Sequence, residues 1–267
     1  MIGVFDSGLG GLTVLKEIKQ RLPEYDYVYL GDTLRVPYGN RSDEAVYELT
    51  KNAVEFLFNK GAKLVIIACN TATAKALRRL QQEYLVERGN DGENILGVIR
   101  PMVEYFAANN MERVGVIGTR GTVTSNVYIE EMRKINDGVK IYQQATSLLV
   151  PLIEENWIDS EITEEILRSY LKMLKLYKVQ GLILGCTHYP FLQKKIQEIV
   201  GDECFVPHPG EIVSLKLKDY LQRHSEIEKG LSKTGKRDYY VTDLTENFYD
   251  IATRFLGERI EIKKVIV

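Results

Sequence analysis

Short apolar runs alternate along this chain with longer segments of helical periodicity. We interpret the runs as β-strands, at about 2–5, 26–30, 63–68, 94–98, 112–117, 138–143, 180–185 and 203–206. Between them, apolar side chains recur at spacings of three and four, which predicts helices over 43–60, 72–87 and 161–178. Strands that alternate with helices indicate βαβ units, so we expect an α/β protein with mainly parallel sheets.

Two pairs of segments resemble each other within the chain. IIACNTAT and LILGCTHYP each run from an apolar strand into a cysteine and then into polar residues. IGVFDSGLGG and VGVIGTRGT each run from a strand into a turn with glycine and short polar side chains. This repetition predicts two similar α/β domains. Because parallel sheets bind ligands beyond the carboxyl ends of their strands, we expect all four turns to line one cleft between the domains.

The charge balance and the chain start limit the classes of partner. With 35 basic and 37 acidic residues, the net charge of −2 gives no general field that would attract nucleic acid or an anionic membrane. The start MIGVFDSG lacks the features of a secretory signal, and no apolar run approaches the roughly 20 residues that span a bilayer. We therefore expect a cytoplasmic protein that acts on a small molecule, without a nucleic-acid or membrane partner.

The three cysteines are too few for a disulfide framework. They form no CxxC pair and no Cys/His cluster, so the sequence predicts free thiols and no metal site. Cys69 and Cys186 follow apolar strands in matched contexts. Helix N-termini favour the thiolate and lower the pKa of a thiol toward the range of a general base. A single cysteine at such a place is commonly a small core residue, whereas a matched pair favours chemistry.

A pair of thiols suits the inversion of a carbon stereocentre. That reaction requires a base on one face of the carbon and an acid on the other, with roles that exchange in the reverse direction. A Cys/His hydrolase would need only one nucleophile, which leaves the second thiol without a role. His188 could tune Cys186 or hold a substrate carboxylate, and it could also be a structural residue.

Three further segments are ambiguous. The turn from Asp6 to Gly11 could bind an anion at a helix N-terminus or could be a tight turn capped by Asp6, and its glycine spacing does not match the dinucleotide-binding GxGxxG pattern. The loop over 31–40 could bind a ligand or could be a plain Pro/Gly turn. We interpret the charge run at 229–240 as a solvated loop.

Six segments in order resemble the motifs of bacterial glutamate racemases: FDSGLGGLTVL, YLGDTLRVPYG, IIACNTAT, VIGTRGT, SLLVPLIEE and LILGCTHYP. The resemblance covers nearly all of residues 1–200, and DYYVTDLTENF resembles the final strand-to-helix region of that family. It implies an active site between two α/β domains, of which the first comprises 1–95 plus 212–267 and the second comprises 96–211.

The resemblance also implies the activity and the roles of residues. The expected function is racemisation of L- and D-glutamate without a cofactor, which supplies D-glutamate for peptidoglycan, by a homodimer. Cys69 and Cys186 correspond to the catalytic thiols, with Asp6 assisting Cys69 and with Glu154 and His188 assisting Cys186. The positions that correspond to substrate-binding or supporting residues are Asp6, Ser7, Tyr38, Gly39, Asn70, Thr71, Thr119, Thr122, Thr187 and His188.

One segment departs from the family pattern. After the Cys-Thr-His region many members carry Asp-Ser before Gly-Glu or Ala-Glu, whereas this chain has Val206-Pro207-His208-Pro209-Gly210-Glu211. We expect this departure to change a hinge or rim and not the chemistry. Cys204 matches no motif and is expected to be a buried bystander. Two alternatives stay open: a racemase of aspartate or a related acid, and a binding protein on the same scaffold that acts on a DNA topoisomerase.

Overall fold

The computed structural model describes residues 1–89, 92–245 and 248–267. Within them the strands form two sheets, and every pairing between neighbouring strands is parallel. The strands are β1 Ile2–Asp6, β2 Tyr27–Gly31, β3 Leu64–Ile67, β4 Asn94–Gly97, β5 Arg113–Gly118, β6 Lys140–Ala145, β7 Gly181–Gly185, β8 Arg237–Val241 and β9 Ile262–Lys264.

The two sheets confirm the predicted α/β class with two parallel sheets. The larger sheet has the order β4-β3-β1-β2-β8-β9 and takes strands from both ends of the chain. The smaller sheet has the order β6-β5-β7. Strand β1, which ends at Asp6 just before Ser7, is a neighbour of β3, which precedes Cys69. Strands β5 and β7, which precede Thr119 and Cys186, are also neighbours. The domain boundaries, 1–95 plus 212–267 and 96–211, stay a prediction.

Helices connect the strands. They are α1 Gly11–Arg21, α2 Asp43–Asn59, α3 Asn70–Arg79, α4 Leu85–Glu87, α5 Ile99–Ala108, α6 Arg120–Thr124, α7 Val127–Ile135, α8 Leu149–Glu154, α9 Glu161–Leu176, α10 Gln193–Val200, α11 Pro209–Arg223, α12 Ser225–Glu228 and α13 Phe248–Leu256. Short 3₁₀ turns lie at Thr33–Arg35, Tyr38–Asn40 and Tyr189–Leu192, and a π-helical turn at Leu80–Tyr84 joins α3 to α4.

The three helices predicted from periodicity are confirmed. Ser42 and Ser160 begin α2 and α9, and each side chain accepts a hydrogen bond from a backbone N–H of the first turn. The helix predicted over 72–87 begins two residues earlier, at Asn70, because Cys69 Sγ accepts a hydrogen bond from the Ala72 N–H and takes the capping position. No helix within the described residues has the length and apolar character needed to cross a membrane.

The predicted strand at 203–206 is wrong. Phe205 makes only an isolated bridge to Gly181, with backbone hydrogen bonds of 2.9 Å to Leu182 and 3.0 Å to Gln180. The segment cannot extend this pairing because Pro207 and Pro209 follow it, and proline lacks the backbone N–H that a sheet needs.

The charge run at 229–240 is also more ordered than predicted. Its last residues, from Arg237, form β8, which pairs with β2. The turn before β8 is held by the buried Asp26, whose side chain accepts hydrogen bonds from the backbone of Thr234 and Lys236. DYYVTDLTENF contains all of β8 except Arg237 and also the first residue of α13, as the resemblance implies. Its residues 246 and 247 lie outside the described residues.

The core places the strand ends of the two sheets next to each other. Strands β1 and β3 are buried along their whole length, as expected where helices cover both faces of a parallel sheet. One continuous hydrophobic cluster contains Leu15 of α1, Leu217 of α11 and Leu184 of β7. Helices α1 and α11 therefore pack between the larger and smaller sheets, and the carboxyl ends of both sheets meet beside α1.

Candidate active site

Cys69 stands where β3 ends and α3 begins. It is 6% exposed, and its Sγ lies 3.3 Å from Ser7 Oγ and 3.4 Å from the Ala72 nitrogen. Ser7 reaches it because β1 and β3 are neighbouring strands that end at the same edge of the sheet. The structure therefore brings together the first turn and the first cysteine, as the sequence predicted.

The pKa of Cys69 is raised to about 12, first by burial and then by the nearby Asp6 carboxylate. Hydrogen bonds from Ser7 and from the Ala72 N–H favour the thiolate but do not outweigh these two causes. The expectation that the helix N-terminus lowers this pKa is wrong for Cys69, because desolvation of the anion is the larger effect. At neutral pH Cys69 is a thiol that can donate a proton.

Asp6 is the buried carboxylate beside this thiol. Its Oδ2 accepts a hydrogen bond of 2.9 Å from the Gly8 N–H, and Thr187 Oγ1 donates to its Oδ1 at 3.4 Å. Burial raises the pKa of Asp6 above its usual value, although the charge of His188 and the N–H groups of Gly8 and Gly11 oppose this. A carboxylate with a raised pKa can take up a proton from a neighbouring thiol.

Cys186 follows β7 and has a different set of neighbours. Its Sγ lies 3.9 Å from His188 Nδ1, and His188 Nε2 lies 3.0 Å from Glu154 Oε1 at the end of α8. Burial favours neutral His188, but the hydrogen bonds to Cys186 and Glu154 outweigh it and raise the pKa of His188 to about 10. An imidazolium therefore stands between a carboxylate and the sulfur of Cys186 at neutral pH.

Three threonine hydroxyl groups form a cluster that connects the helix after β3 of the larger sheet with the segment after β5 of the smaller sheet. Thr71 Oγ1 lies 2.8 Å from Thr119 Oγ1 and 3.3 Å from Thr122 Oγ1, and Thr119 and Thr122 are 3.1 Å apart. Thr71 lies in the first turn of α3, whereas Thr119 caps the N-terminus of α6 and Thr122 lies in the first turn of α6. Hydroxyl groups both donate and accept, so this cluster can bind a carboxylate or an amine.

The segment Tyr38–Gly39 is close to the threonine cluster. Tyr38 is 2% exposed, and its hydroxyl donates to Asp32 Oδ2 at 2.6 Å, so this hydroxyl already has a partner. A Cβ atom on Gly39 would lie 2.9 Å from Thr119 Cβ. Because Gly39 has no side chain, the loop after β2 can approach the turn after β5. The Tyr38 hydroxyl is already bonded to Asp32, so the Tyr38–Gly39 segment can bind a ligand through its backbone groups.

Three supporting residues were missed by the sequence reasoning. Tyr128 OH donates to Asn70 Oδ1 at 2.7 Å and fixes the side-chain amide of Asn70. Thr13 Oγ1 donates to the Thr187 carbonyl at 2.9 Å and ties α1 to the turn after β7. Asp32 fixes Tyr38. Asp32 had a sequence signal in its Gly-Asp-Thr turn, whereas Tyr128 and Thr13 sit within helices and had none.

Cys204, the third cysteine, is a core residue. It is 4% exposed and belongs to the cluster that surrounds α1 and α11. Burial raises the pKa of Cys204 to about 11. Its thiol is therefore neutral at physiological pH, which matches the expectation of a bystander.

Gly10 provides a first test of how tightly the site is packed. A Cβ atom at Gly10 would lie 2.2 Å from Thr187 Oγ1 and 2.6 Å from His188 Nδ1. We expect Gly10→Ala to displace both side chains and to lower the kcat/KM of the catalysed reaction about 100-fold, the usual effect of a misplacement near 1 Å. Gly230→Ala is the control, since its Cβ would make only an ordinary 3.4 Å contact. Equal activity of the two variants would contradict this packing.

Comparisons with known proteins point to one family. The family model described as Asp/Glu/Hydantoin racemase matches residues 2–208. A glutamate racemase of Geobacter metallireducens is 41% identical over 260 residues, which is 97% of this chain and 93% of that protein. The crystal structure of a glutamate racemase from Francisella tularensis in complex with D-glutamate matches with a TM-score of 0.88 and 32% identity, over 99% of this chain and 97% of that one. A glutamate racemase isoform from Bacillus anthracis matches with a TM-score of 0.90 and 32% identity, over 100% and 97% of the two chains.

Proposed function

Because the chain belongs to the Asp/Glu/hydantoin racemase family, we propose that it interconverts L- and D-glutamate by proton transfer through Cys69 and Cys186. The observation that carries this proposal is the placement of two buried thiols at corresponding strand ends, each with its own proton-handling partner. Cys69 has Ser7 and Asp6, and Cys186 has His188 and Glu154. A binding protein would have no need of two such assemblies.

As the resemblance to glutamate racemases implies, the sulfur of Cys186 removes the α-proton in the direction from L- to D-glutamate. The C–H electron pair stays on the α-carbon, and the carbanion takes a proton from the Cys69 thiol on the opposite face. Cys69 suits this step because its raised pKa keeps the thiol protonated. The His188 imidazolium donates a hydrogen bond to Cys186 Sγ while that sulfur acts as the base.

The reverse direction exchanges the two roles. Cys69 then acts as the base, and Asp6 is the group that can accept its proton, because burial raises the pKa of that carboxyl. Cys186 donates to the carbanion, and the His188–Glu154 pair replaces its proton. Both assemblies act in both directions, which is what a racemase requires by microscopic reversibility.

The remaining polar groups hold the substrate around its α-carbon. Ser7, Asn70, Thr187 and His188 lie next to the two sulfurs, and the Thr71, Thr119 and Thr122 hydroxyl groups lie beside the Tyr38–Gly39 backbone. Tyr128 and Thr13 keep Asn70 and Thr187 in place. The substrate is then a small amino acid with a second carboxylate, held by hydroxyl, amide and backbone donors.

The cellular role follows from the product. D-Glutamate is a building block of peptidoglycan, so the protein serves cell-wall synthesis in the cytoplasm, where its thiols stay reduced. It acts as a homodimer, as the sequence resemblance implies. No organic cofactor takes part, because the two thiols with Asp6, His188 and Glu154 supply each proton donor and acceptor that the reaction needs.

Circular dichroism of purified protein tests the proposed function. Without added cofactor and with a chelator present, the optical activity of L-glutamate should decay to zero, while that of L-aspartate should remain. Decay of L-aspartate alone would favour the related-acid alternative. No decay with either substrate would favour a binding protein, and activity restored only by an added cofactor would overturn the cofactor-independent mechanism.

The charge of His188 gives a second test. The pKa of His188 is raised to about 10, so its imidazole should stay protonated from neutral pH to about pH 9. Protonation of His188 stabilises the folded state, and this stabilisation is complete below 6.5, the pKa of histidine in the unfolded chain. The stabilisation is lost as the pH rises through about 10, the pKa of His188 in the folded protein. NMR of histidine-labelled protein, with His188→Gln to assign the signal, should show a midpoint near 10.

Glu154→Gln should move that midpoint to lower pH, because it removes the carboxylate that favours the imidazolium. Glu155→Gln is the matched control, since Glu155 is an exposed neighbour at the same helix end. A wild-type midpoint near 6.5, or equal midpoints for the two variants, would contradict the His188–Glu154 assignment.

A further inference from the structure

Three side chains that are not used in the proposed mechanism converge beside α1. Glu17 of α1, His208 just before α11 and Glu211 in the first turn of α11 each offer one ligand atom, and these atoms all lie within 4.8 Å of one another. His208 Nδ1 is shielded from solvent and has no hydrogen-bond partner. Among the described residues, neither Glu17 nor Glu211 forms a side-chain ion pair or hydrogen bond.

The backbone brings these residues together. Gly210 lies at the contact between α1 and α11, where a Cβ atom would come within 2.7 Å of Glu17 Cγ and 3.2 Å of His208 Cε1. One turn further along both helices, Arg21 Nε donates to Ser214 Oγ at 2.9 Å. The packing of α1 against α11 therefore sets the separation of Glu17 from Glu211, and His208 is the residue directly before α11.

The electrostatics of the cluster call for a cation. Two carboxylates without an ion-pair partner among the described residues repel each other at this separation. The α11 macrodipole contributes only about half a positive charge at its N-terminus, against two negative charges from Glu17 and Glu211. Two carboxylate oxygens and one imidazole nitrogen form a ligand set that suits zinc and similar divalent transition-metal ions, with water completing the coordination.

We propose that Glu17, His208 and Glu211 bind a divalent transition-metal cation that fastens α1 to the start of α11. The site is separate from the proton-transfer chemistry. It lies where the chain leaves the smaller sheet and enters α11, at the segment that departs from the family pattern. This inference rests on the cluster alone and stands apart from the proposed racemase function.

A cation bound by Glu17, His208 and Glu211 would help to fix the positions of the active-site turns that adjoin α1 and α11. Helix α1 starts directly after Gly10, which contacts Thr187 and His188. Pro209 and Gly210 line the same small cavity as Asn70, Cys186 and Thr187. Bound metal should therefore hold α1 and the α11 start together and raise the melting temperature, by about 5 °C at a hundredfold excess over Kd.

Cobalt(II) titration of the metal-free protein tests the site, because cobalt(II) is a spectroscopic probe for zinc. We expect saturable d–d absorption at one equivalent, without the charge-transfer bands of cobalt–thiolate bonds. Glu17→Gln and His208→Gln should each weaken cobalt binding by about tenfold or more. His224→Gln is the matched control, since His224 has a carboxylate neighbour, Glu226, at an exposed position.

The cobalt titration has results that support the proposed metal site and results that overturn it. Weakened binding in both cluster variants, with an unchanged control and a melting temperature that no longer responds to metal, would support the site. Unchanged cobalt affinity in Glu17→Gln and His208→Gln would overturn it. Thiolate charge-transfer bands would also overturn it, because they would place the cation on the cysteines. If Glu17→Gln or His208→Gln fails to fold, as judged by circular dichroism, Glu211→Gln replaces it in the same cobalt titration.

Discussion

Cys69→Ala and Cys186→Ala should each lower racemase kcat/KM by about 10²–10⁴-fold, the usual contribution of a positioned acid or base. Each change removes the thiol that, in the proposed mechanism, donates or accepts the proton on one face of the α-carbon. The two enantiomers have equal free energies in solution, so the loss must be the same in both directions. Serine in place of either cysteine should be nearly as poor, because a hydroxyl is a much weaker acid than a thiol.

Cys204→Ala is the matched control for both changes. Cys204 is buried like the other two cysteines, but among the described residues its sulfur makes no hydrogen bond, and burial is the only cause that raises its pKa. This variant should lower the free energy of unfolding by about 1–2 kcal/mol through a small cavity, and its kcat/KM should stay within about twofold of the wild type. A racemisation rate near wild type in Cys69→Ala or Cys186→Ala would show that the replaced cysteine is a packed core residue without a catalytic role.

Asp6→Asn should have the next largest effect, a loss of about 100-fold in kcat/KM. The amide keeps an acceptor for the Gly8 N–H but cannot take up the proton of Cys69. The same change removes the charge that raises the pKa of Cys69, so the thiol pKa should fall below about 12. Steady-state kinetics and a thiol titration of the variant measure these two effects.

Asp26→Asn is the control for Asp6→Asn. Asp26 is also buried and also accepts hydrogen bonds from backbone N–H groups, but it holds the turn before β8. Burial raises the pKa of Asp26, but the hydrogen bonds from Ser232, Lys236 and Thr234 outweigh it and lower that pKa. Asp26→Asn should therefore cost stability above the ordinary pKa of aspartate and leave kcat/KM nearly unchanged. Equal kcat/KM losses in the two variants would show that Asp6 acts only on stability.

The sequence predicted the strand ends well because parallel strands are apolar along their whole length. The strands that lead to Ser7, Cys69, Thr119 and Cys186 are buried, except at Arg113, which begins β5, and the polar residues of the site begin at or just after their ends. It predicted β8 poorly, because Arg237 and Asp238 lie at the start of that strand and are only partly buried. Charged residues there indicated a loop, whereas pairing with β2 decides the structure.

The site was only partly accessible from the sequence. The cysteines and their polar neighbours follow strands, where parallel sheets bind ligands, and they could be found from that pattern. Tyr128 could not be found, because its contact with Asn70 joins residues 58 positions apart. The raised pKa of Cys69 could not be found either, since it depends on burial and on the distance to Asp6, which no local pattern records.

The most direct test of the two-thiol mechanism is deuterium incorporation at the α-carbon in heavy water, measured separately from optical rotation. Kinetics alone cannot tell which thiol faces which enantiomer, because any variant slows both directions equally. Cys186→Ala keeps Cys69 and should slowly exchange the α-proton of D-glutamate without inversion. Cys69→Ala keeps Cys186 and should do the same with L-glutamate. Exchange of the opposite enantiomers would reverse the facial assignment, and racemisation near the wild-type rate in either variant would contradict the two-thiol mechanism itself.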